Sequence, residues 1–482
     1  MTAPPKKIAI LGGGITGLSA ALALQEQARR DRAPVSVTLL EAEPRLGGKI
    51  TTRIDEGFVI EGGPDSFISQ KPWALELCQK LGLDHRLVGT NRDKTATYIL
   101  HHGRLVHLPE GVMLLVPTRL WPFVTTPLFS PLGKIRMGLD WVIPARRGGG
   151  DESLAGFVRR RLGQEAVERL AEPLLAGIYA GDAEQMSLEA TFPQFLEMER
   201  RHGSLIRGML ARRRAMRSPS TPPPSGARTM FMTLKGGLSE LVDAIVSRLE
   251  PGTVTNGRAA RRLHYRAGLK RFEILMEDGE RLSADAVIAA CPAYALADLL
   301  SETDVTLGKF LLEIPYVSTA TVSLAFPKAR VRHPMNGFGF VVPRREGMGL
   351  MACTWTSTKF PHRAPGDFVL LRCFVGGAGR ESAAELDDQE LVQQVRRDLG
   401  AIMGLSEPPE QSWVYRWKKA NPQYQVGHLD RLSAIEERLD RFPGLYAAGA
   451  AYRGVGIPDC IRQGHEAADR AYRHVTAPGR NR

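Results

Sequence analysis

The first forty residues alternate between apolar runs and polar turns in a pattern that predicts a βαβ unit. Residues 7–11 (KIAIL) form a short apolar run that predicts a buried strand. Residues 16–30 (TGLSAALALQEQARR) are rich in Ala and Leu and predict a helix. Residues 35–41 (VSVTLLE) are rich in β-branched residues and predict a second strand.

Later segments differ from this unit in their pattern. Residues 108–145 mix proline breaks with aromatic and long aliphatic residues, which suits either core helices or an apolar surface. Residues 151–217 predict helices that end in an arginine-dense stretch, and residues 218–227 (SPSTPPPSGA) predict a loop that divides the chain. Residues 234–249 then predict an amphipathic helix, and the run 284–292 is apolar.

Composition places the chain among globular proteins with more than one domain. It has 482 residues, of which 43% are hydrophobic. The 64 Lys and Arg residues exceed the 52 Asp and Glu residues, giving a net charge of +12. Such an excess suits nucleic acid, an anionic membrane or an acidic small molecule. No aromatic residues interleave with the basic ones as in nucleic-acid motifs, so we expect no nucleic-acid partner.

The cysteines and the N-terminus favour a cytoplasmic protein. Five cysteines are scattered and never form a C-x-x-C pair, so we expect neither a disulfide framework nor a metal site, and a reducing compartment fits best. The N-terminal apolar run is too short for a signal peptide, and no stretch of 18 apolar residues occurs.

A glycine motif follows the first predicted strand and opens the first predicted helix. Gly12, Gly13, Gly14, Ile15, Thr16 and Gly17 form a G-x-G-x-x-G sequence. The glycines allow a tight turn and a close approach of the backbone to a pyrophosphate, which the free N–H groups of a helix N-terminus attract. Glu41, at the end of the second predicted strand, can accept hydrogen bonds from ribose hydroxyls. Together these features predict a dinucleotide site.

The residues after Glu41 favour FAD over NAD. Ala42, Arg45, Gly48 and Lys49 belong to a basic turn with two adjacent glycines. This turn resembles the FAD signature of the amine-oxidase-like flavoproteins. Near the C-terminus, residues 444–449 predict a strand, and residues 454–459 open a final helix. In that superfamily the corresponding turn lies beside the flavin ring, so both ends of the chain would meet at one cofactor.

Further motifs narrow the resemblance to the porphyrinogen oxidases of haem synthesis. They occur in family order along nearly the whole chain: Gly63-Pro64-Asp65-Ser66-Phe67, Gly177-Ile178-Tyr179-Ala180-Gly181-Asp182, Asn421-Pro422-Gln423-Tyr424 and Gly454-Val455-Gly456-Ile457. The sequences Gly-Pro-Asp-Ser-Phe and Cys353-Thr354-Trp355-Thr356 resemble most the Gram-positive branch that oxidises coproporphyrinogen III. Protoporphyrinogen IX stays open as the alternative substrate.

The resemblance implies site residues, carried over by motif. It assigns FAD, bound without a covalent link, to Gly12, Gly13, Gly14, Ile15, Thr16, Gly17, Glu41, Ala42, Arg45, Gly48, Lys49, Gly63, Pro64, Asp65, Ser66, Ala260, Trp417, Gly449, Val455, Gly456 and Ile457. It assigns the substrate to Lys71, Ile178 and Phe374. The alternatives are that Lys71 is an exposed surface lysine and that Ile178 and Phe374 are ordinary core residues. The arginine that plant and mitochondrial enzymes place before an aromatic residue is replaced by Thr97, which precedes Tyr98.

The implied fold is α/β, or α+β overall, with a Rossmann-like FAD-binding domain, a substrate domain and a helical insert. The FAD domain would comprise residues 1–65, 234–290 and 430–482, and the substrate domain residues 66–90, 190–233 and 291–429. Residues 91–189 would form the helical, membrane-associating insert. The implied partners are a porphyrinogen and molecular oxygen; peripheral contact with the inner face of the cell membrane and a haem-pathway partner enzyme are left open.

We expect no catalytic side chain, because no Ser/His/Asp set, metal cluster or paired carboxylate stands near these motifs and the flavin N5 would do the chemistry. Three other functions compete with this interpretation. A covalent amine oxidase is disfavoured because residues 413–449 contain no cysteine. The positive charge disfavours a carotenoid-type desaturase, and turnover of a porphyrinogen with oxygen would exclude a flavin-bearing redox sensor.

Overall fold

The computed structural model describes residues 4–109, 112–113, 116–117, 120–146, 148–217 and 228–477. The loop predicted at residues 218–227 lies outside the described residues. The structure confirms a mixed α/β fold in which the predicted βαβ unit forms the centre of a parallel sheet. The two predicted strands are Lys6–Leu11 and Val35–Glu41, joined by the helix Ile15–Asp31.

The parallel sheet has five strands, and helices and strands cover both of its faces. Its order is Val254–Asn256, Val35–Glu41, Lys6–Leu11, Ala286–Ala289 and Leu445–Ala447. Ile8 and Ile10 face one apolar cluster, which includes residues of the helices Ile15–Asp31 and Ile457–Thr476, whereas Ala9 and Leu11 face another. Burial on both faces explains why the first strand has no polar residue after Lys7.

A second, mostly antiparallel sheet has seven strands. Its order is Gln411–Pro422, Tyr316–Pro327, Phe368–Gly376, Leu350–Trp355, Gly339–Val341, Thr97–His101 and Arg104–His107. One face packs on the helix Asp388–Met403 through an apolar cluster that includes Leu371 and Cys373. Alternation along the strand turns Arg372 and Phe374 to the opposite face. The predicted insert 91–189 therefore begins with two strands of this sheet rather than with helices.

Smaller sheets complete the β-structure. They are Phe67–Ile68, Phe231–Leu234 and Leu87–Gly89; Ala260–Arg266, Arg271–Met276 and Arg281–Ala284; and the pairs Thr52–Asp55 with Phe58–Glu61 and Val112–Met113 with Val116–Pro117. The remaining helices are Trp73–Lys80, Leu120–Thr125, Pro131–Gly138, Leu154–Leu162, Gln164–Ala166, Glu172–Tyr179, Leu188–Thr191, Pro193–His202, Leu205–Arg217, Ser239–Arg248, Ala293–Leu299, Val305–Leu312, Thr356–Lys359 and His428–Leu439, with a π-helical turn at Val167–Ala171.

The helices between residues 154 and 217 surround an apolar core of their own, which includes Phe157, Leu175 and Phe195. The side chain of Arg161 is fully buried beside this core, and its Nε donates to Asp140 Oδ1 at 2.5 Å. Because an unpaired buried charge is costly, this pair ties the segment 139–141 to the helix Leu154–Leu162. None of the helices in the described residues is long and apolar enough to cross a membrane.

Candidate active site

The glycine loop lies at the carboxyl end of the first strand, and backbone contacts require its glycines. Gly12 has φ +113°, and a Cβ on it would lie 2.9 Å from the carbonyl of Ala290. A Cβ on Gly17 would collide with the carbonyl oxygen of Gly12. The loop can therefore close only when both positions are glycine.

The space in front of this loop is open where a phosphate would approach. Gly14 precedes the helix Ile15–Asp31, and no side chain caps that helix end. A Cβ on Gly14 would meet nothing within 4 Å. The N–H groups of the first turn, which include those of Ile15 and Thr16, thus face a space that suits an anion.

Glu41 is held at the same loop by backbone donors. Its Oε2 accepts a hydrogen bond from Gly13 N at 2.5 Å, and its Oε1 accepts one from Glu43 N at 2.9 Å. Ala42 is exposed between them. The carboxylate therefore lies beside the glycine turn, where it can also accept hydrogen bonds from ribose hydroxyls.

The second glycine turn, Gly47–Gly48, packs directly on the glycine loop Gly12–Gly17. Gly47 N donates to Gly13 O at 2.8 Å, and a Cβ on Gly48 would lie 3.2 Å from Gly14 Cα. Arg45 donates to the carbonyl of Ile50 at 2.7 Å and also to that of Gly48, so in this structure it holds the turn itself.

Lys49 turns into the protein from this second turn. Its Nζ donates to the carbonyl of Ala420, and burial lowers the pKa of Lys49 to about 8. Lys49 is therefore a largely buried cation next to the second glycine turn.

The segment Gly63–Ser66 passes behind this turn. A Cβ on Gly63 would collide with the carbonyl of Lys49, so glycine is required there too. The carbonyl of Gly62 accepts hydrogen bonds from Trp417 Nε1 at 2.8 Å and from Thr321 Oγ1 at 2.9 Å. These donors, from two strands of the seven-stranded sheet, fix the segment between the two sheets.

The C-terminal turn, residues 449–457, packs against the glycine loop. A Cβ on Gly449 would lie 3.6 Å from Thr16 Oγ1, and one on Gly464 would collide with the carbonyl of Thr16. The first turn of the helix Ile15–Asp31 thus packs against Gly464, about two turns into the helix Ile457–Thr476. Gly456 precedes the second helix without a side-chain cap.

The buried side chain of Tyr424 binds the backbone of the C-terminal turn through its hydroxyl group. Its hydroxyl donates to Ala450 O at 2.7 Å and accepts from Gly454 N at 2.8 Å. Its ring stacks on that of His428 at 4.0 Å. Val455 and Ile457, assigned to the cofactor, follow this fixed point.

The remaining predicted residues lie in different surroundings. Ala260 begins the strand Ala260–Arg266 near the carbonyl of Glu41, which accepts from Arg258 N at 3.1 Å. Ile178 is 64% exposed, and Phe374 is half-buried under the guanidinium of Arg372 at 4.7 Å. Lys71 Nζ lies 2.6 Å from Asp459 Oδ2, so a carboxylate of the protein already occupies it.

Sequence reasoning missed the charged residues behind Gly63–Ser66. Lys359 Nζ lies 2.8 Å from Asp65 Oδ2, and Arg363 Nη1 lies 2.9 Å from Glu61 Oε1. Burial alone would raise the pKa of Asp65, but the charges of Lys359 and Arg372 outweigh burial and hold it below the ordinary value. No sequence motif marks these residues, because each contacts a partner about 300 positions away.

These features fit a dinucleotide with a flavin ring. The open space at Gly14, the uncapped helix end and the carboxylate of Glu41 suit a pyrophosphate and a ribose. The segment Gly63–Ser66 packs on Lys49, just after the second glycine turn, and the turn at Gly449–Ile457 packs on Thr16 of the glycine loop. Within the described residues, no group of three or more His, Cys, Asp or Glu side chains is arranged to hold a metal ion.

Comparison with known families agrees with this geometry. Residues 15–471 match the model for flavin-containing amine oxidoreductases. The chain belongs to this family. The predicted flavoprotein fold and the flavin are thereby confirmed.

Individual relatives are similar over nearly their whole lengths. The chain is 41% identical to a coproporphyrinogen III oxidase from Bacillus subtilis (strain 168), over 98% of both chains. It is 32% identical to a protoporphyrinogen oxidase from Homo sapiens, over 96% of this chain and 98% of that one. A crystal structure from Exiguobacterium sp. 255-15, provisionally assigned as a protoporphyrinogen oxidase, has a TM-score of 0.85 and 35% identity over 98% of this chain and 99% of that one. The resemblance to porphyrinogen oxidases is confirmed.

Proposed function

We propose that this protein is an FAD-dependent coproporphyrinogen III oxidase of haem biosynthesis. The end-to-end similarity to the Bacillus subtilis enzyme, at 41% identity, carries the proposal. The overall reaction removes six electrons from coproporphyrinogen III and gives coproporphyrin III, and molecular oxygen takes the electrons to form three hydrogen peroxide molecules.

The residues of the chain would bind and orient the reacting groups. When bound, FAD supplies the acceptor for each hydride from the substrate. The N–H groups at the start of the helix Ile15–Asp31 would hold its pyrophosphate, and Glu41 its ribose. The segment Gly63–Ser66, clamped by Trp417 and Thr321, would hold the ring in a fixed place.

The substrate would lie on the Phe374 side of that segment. Phe374 and Ile178 would provide apolar walls for the pyrrole rings, and cations at the entrance would meet the carboxylates. Lys71 is one such cation, although Asp459 neutralises part of its charge.

The experiment that tests this function compares two substrates. Purified protein is mixed with coproporphyrinogen III or protoporphyrinogen IX in air, and the fluorescence of the porphyrin product is followed. We expect a higher kcat/KM for coproporphyrinogen III. A clear preference for protoporphyrinogen IX would favour the alternative function, which the 32% identity to the human enzyme supports.

The cofactor is tested separately from turnover. We propose that FAD is bound without a covalent link, because residues 413–449 contain no cysteine. Acid precipitation should release a yellow supernatant that contains FAD. Colour retained in the pellet, or FMN in the supernatant, would contradict this proposal.

We propose that the FAD domain comprises residues 1–65, 234–290 and 430–482, and the substrate domain residues 66–90, 190–233 and 291–429. All five strands of the parallel sheet fall within the first set of ranges, which supports this division.

We also propose that the insert 91–189 places this cytoplasmic protein against the inner face of the cell membrane. Between residues 121 and 142 of the insert, seven large apolar side chains are more than two-fifths exposed: Trp121, Val124, Leu132, Ile135, Leu139, Trp141 and Val142. Arg207 lies over the ring of Trp141 at 5.0 Å and adds a positive charge to this surface. Co-sedimentation with phosphatidylglycerol vesicles, lost in a Trp121→Ser, Trp141→Ser double variant, would support this contact, and no sedimentation of the wild-type protein would contradict it.

A further inference from the structure

Five ionisable side chains within and around the segment Glu61–Ser66 are fully or largely buried. Two ion pairs account for four of them, Lys359 with Asp65 and Arg363 with Glu61. The fifth is Arg372, which is 4% exposed. Within the part of the chain that the structure describes, no carboxylate lies within ion-pair distance of Arg372. The cluster therefore carries one positive charge in excess.

Arg372 is bound to the segment through carbonyl groups. Its Nη2 donates to Gly63 O and lies 3.4 Å from Gly62 O. Its Nε is buried without a hydrogen-bond partner, and its guanidinium lies 4.7 Å from the ring centre of Phe374. Burial lowers the pKa of Arg372, and the charges of Asp65 and Glu61 oppose this effect.

A buried cation without a paired anion is costly to fold, and a neutral residue would avoid that cost. Carbonyl oxygens compensate the charge only in part. The position is informative for two reasons. Arg372 holds the carbonyl of Gly63, in the segment proposed to line the flavin, and that of Gly62 just before it. Its guanidinium also lies over Phe374, which belongs to the proposed substrate wall. Arg372 thus contacts both the segment proposed to hold the flavin and the wall proposed to face the substrate.

The chemistry of the proposed reaction supplies the missing negative charge. In each two-electron step of the proposed reaction, a carbon–hydrogen bond of the substrate would break, its hydride would pass to bound flavin, and a proton would leave the substrate for water. Because a hydride carries two electrons and one proton, this transfer would add one negative charge beside Arg372. A fixed cation in a water-poor site stabilises such a charge without having to reorganise.

We propose that Arg372 is a positioning residue whose charge raises the reduction potential of the flavin, while its hydrogen bonds fix the carbonyls of Gly62 and Gly63. This inference rests on the proposed function, because it requires a flavin at the segment Gly62–Ser66. It assigns the excess positive charge of the buried cluster to the reduced cofactor.

The test measures the reduction potential of the flavin in the purified holoprotein by equilibration with a reference dye. In Arg372→Met, which keeps the length of the side chain without its charge, we expect the ratio of reduced to oxidised flavin at a fixed potential to fall about tenfold. This corresponds to a decrease of about 30 mV for a two-electron couple. In Arg372→Lys, which keeps the charge, the ratio should stay within about threefold of the wild type.

Arg262→Met provides the matched control. It removes the same charge from the strand Ala260–Arg266, where Arg262 is paired with Glu302, and the potential should not change. If Arg372→Met does not fold, Arg372→Gln takes its place, because the amide can still donate to a carbonyl.

Two other results would overturn the inference. An unchanged potential in Arg372→Met would show that the charge does not act on the flavin. A raised KM with an unchanged potential would assign Arg372 to a carboxylate of the substrate instead. Turnover of coproporphyrinogen III by the wild-type protein is measured separately; its absence would contradict the proposed function, whereas the comparison of potentials would still stand.

Discussion

The glycine loop Gly12–Gly17 contains no charged side chain, whereas the segment Glu61–Ser66 lies against three cations and contains two acids. The loop takes its shape from close contacts between backbone atoms, such as the carbonyl of Gly12 against Gly17. The segment is held by buried ion pairs and by donors from the seven-stranded sheet. Both regions border the same proposed cofactor.

This difference separates two ways of building a cofactor site. Neutral N–H groups and open space suit a pyrophosphate, whose charge is present in every redox state. Paired and unpaired buried charges suit a ring whose charge changes during the reaction. The loop should therefore respond to added volume and be insensitive to pH, and the segment should respond to removed charge and to pH.

The largest effect should come from breaking the buried ion pair between Arg363 and Glu61 at the charged segment. Arg363→Met leaves Glu61 unpaired, and burial raises the pKa of Glu61 even beside the arginine. We expect the free energy of unfolding to fall by about 3–5 kcal/mol, measured by equilibrium unfolding in urea. Arg53→Met, which removes an arginine that is 58% exposed and paired with Asp55, should cost less than about 1 kcal/mol.

Removing both partners of the buried pair refines this prediction. The double variant Arg363→Met, Glu61→Gln should recover a substantial part of the lost stability, because no charge is left unpaired. A single variant as stable as the wild type would show that the charges do not hold the segment.

Two glycine variants test the loop in the same way. Gly17→Ala should lower the free energy of unfolding by about 3 kcal/mol, since its methyl group collides with the Gly12 carbonyl. Gly14→Ala should leave the flavin-free protein as stable as the wild type but weaken flavin binding, because its methyl group would enter open space. Unfolding of the flavin-free protein and titration with FAD separate the two effects. Normal flavin affinity in Gly14→Ala would place the pyrophosphate elsewhere.

The two regions also differ in how far sequence could describe them. The loop, the helix Ile15–Asp31 and Glu41 lie within 30 residues of each other, and local pattern predicts all of them. The ion pairs join Asp65 to Lys359 and Glu61 to Arg363, across about 300 residues. No local sequence pattern near Lys359 or Arg363 predicts these partners. Sequence alone assigns residues 97–107 to a helical insert, because the strand Thr97–His101 pairs with Gly339–Val341, which is also far away in sequence.

Removing the carboxylate beside the loop should have a smaller effect than adding a methyl group within it. Glu41→Ala should weaken FAD binding by about 2 kcal/mol without unfolding the chain, because the carboxylate is expected to accept hydrogen bonds from ribose. Fluorescence titration of flavin-free protein measures this affinity. Glu43→Ala, at an exposed position two residues away, is the control. Unchanged affinity in Glu41→Ala would remove Glu41 from the site.

The pH dependence should distinguish the charged segment from the loop. The pKa of Asp65 is lower in the folded protein than its ordinary value of 3.8. Its ionised form therefore contributes stability above about pH 4, and this contribution is lost as the pH falls through the folded pKa. The difference in unfolding free energy between the wild type and Asp65→Asn should shrink by about 1 kcal/mol between about pH 6 and about pH 3. The difference between the wild type and Gly17→Ala should stay constant, and equal behaviour of the two variants would contradict this distinction.

The smallest effect concerns Lys71, which lies outside both regions and is 45% exposed. Its partner Asp459 belongs to the first turn of the helix Ile457–Thr476 and is 9% exposed, so the pair has one wet and one buried member. A half-exposed lysine–carboxylate contact is worth about 0.5 kcal/mol, or roughly a twofold change. We expect Lys71→Ala to raise KM for coproporphyrinogen III about twofold, with a smaller rise for protoporphyrinogen IX, which has two propionates instead of four.

Lys80→Ala is the matched control, because Lys80 is 49% exposed and paired with Glu26. Equal rises for both substrates would make Lys71 a contact that does not discriminate between them. Reduced flavin content with unchanged KM would instead show that Lys71 stabilises the C-terminal turn by neutralising Asp459, because Lys71→Ala would leave this buried carboxylate unpaired.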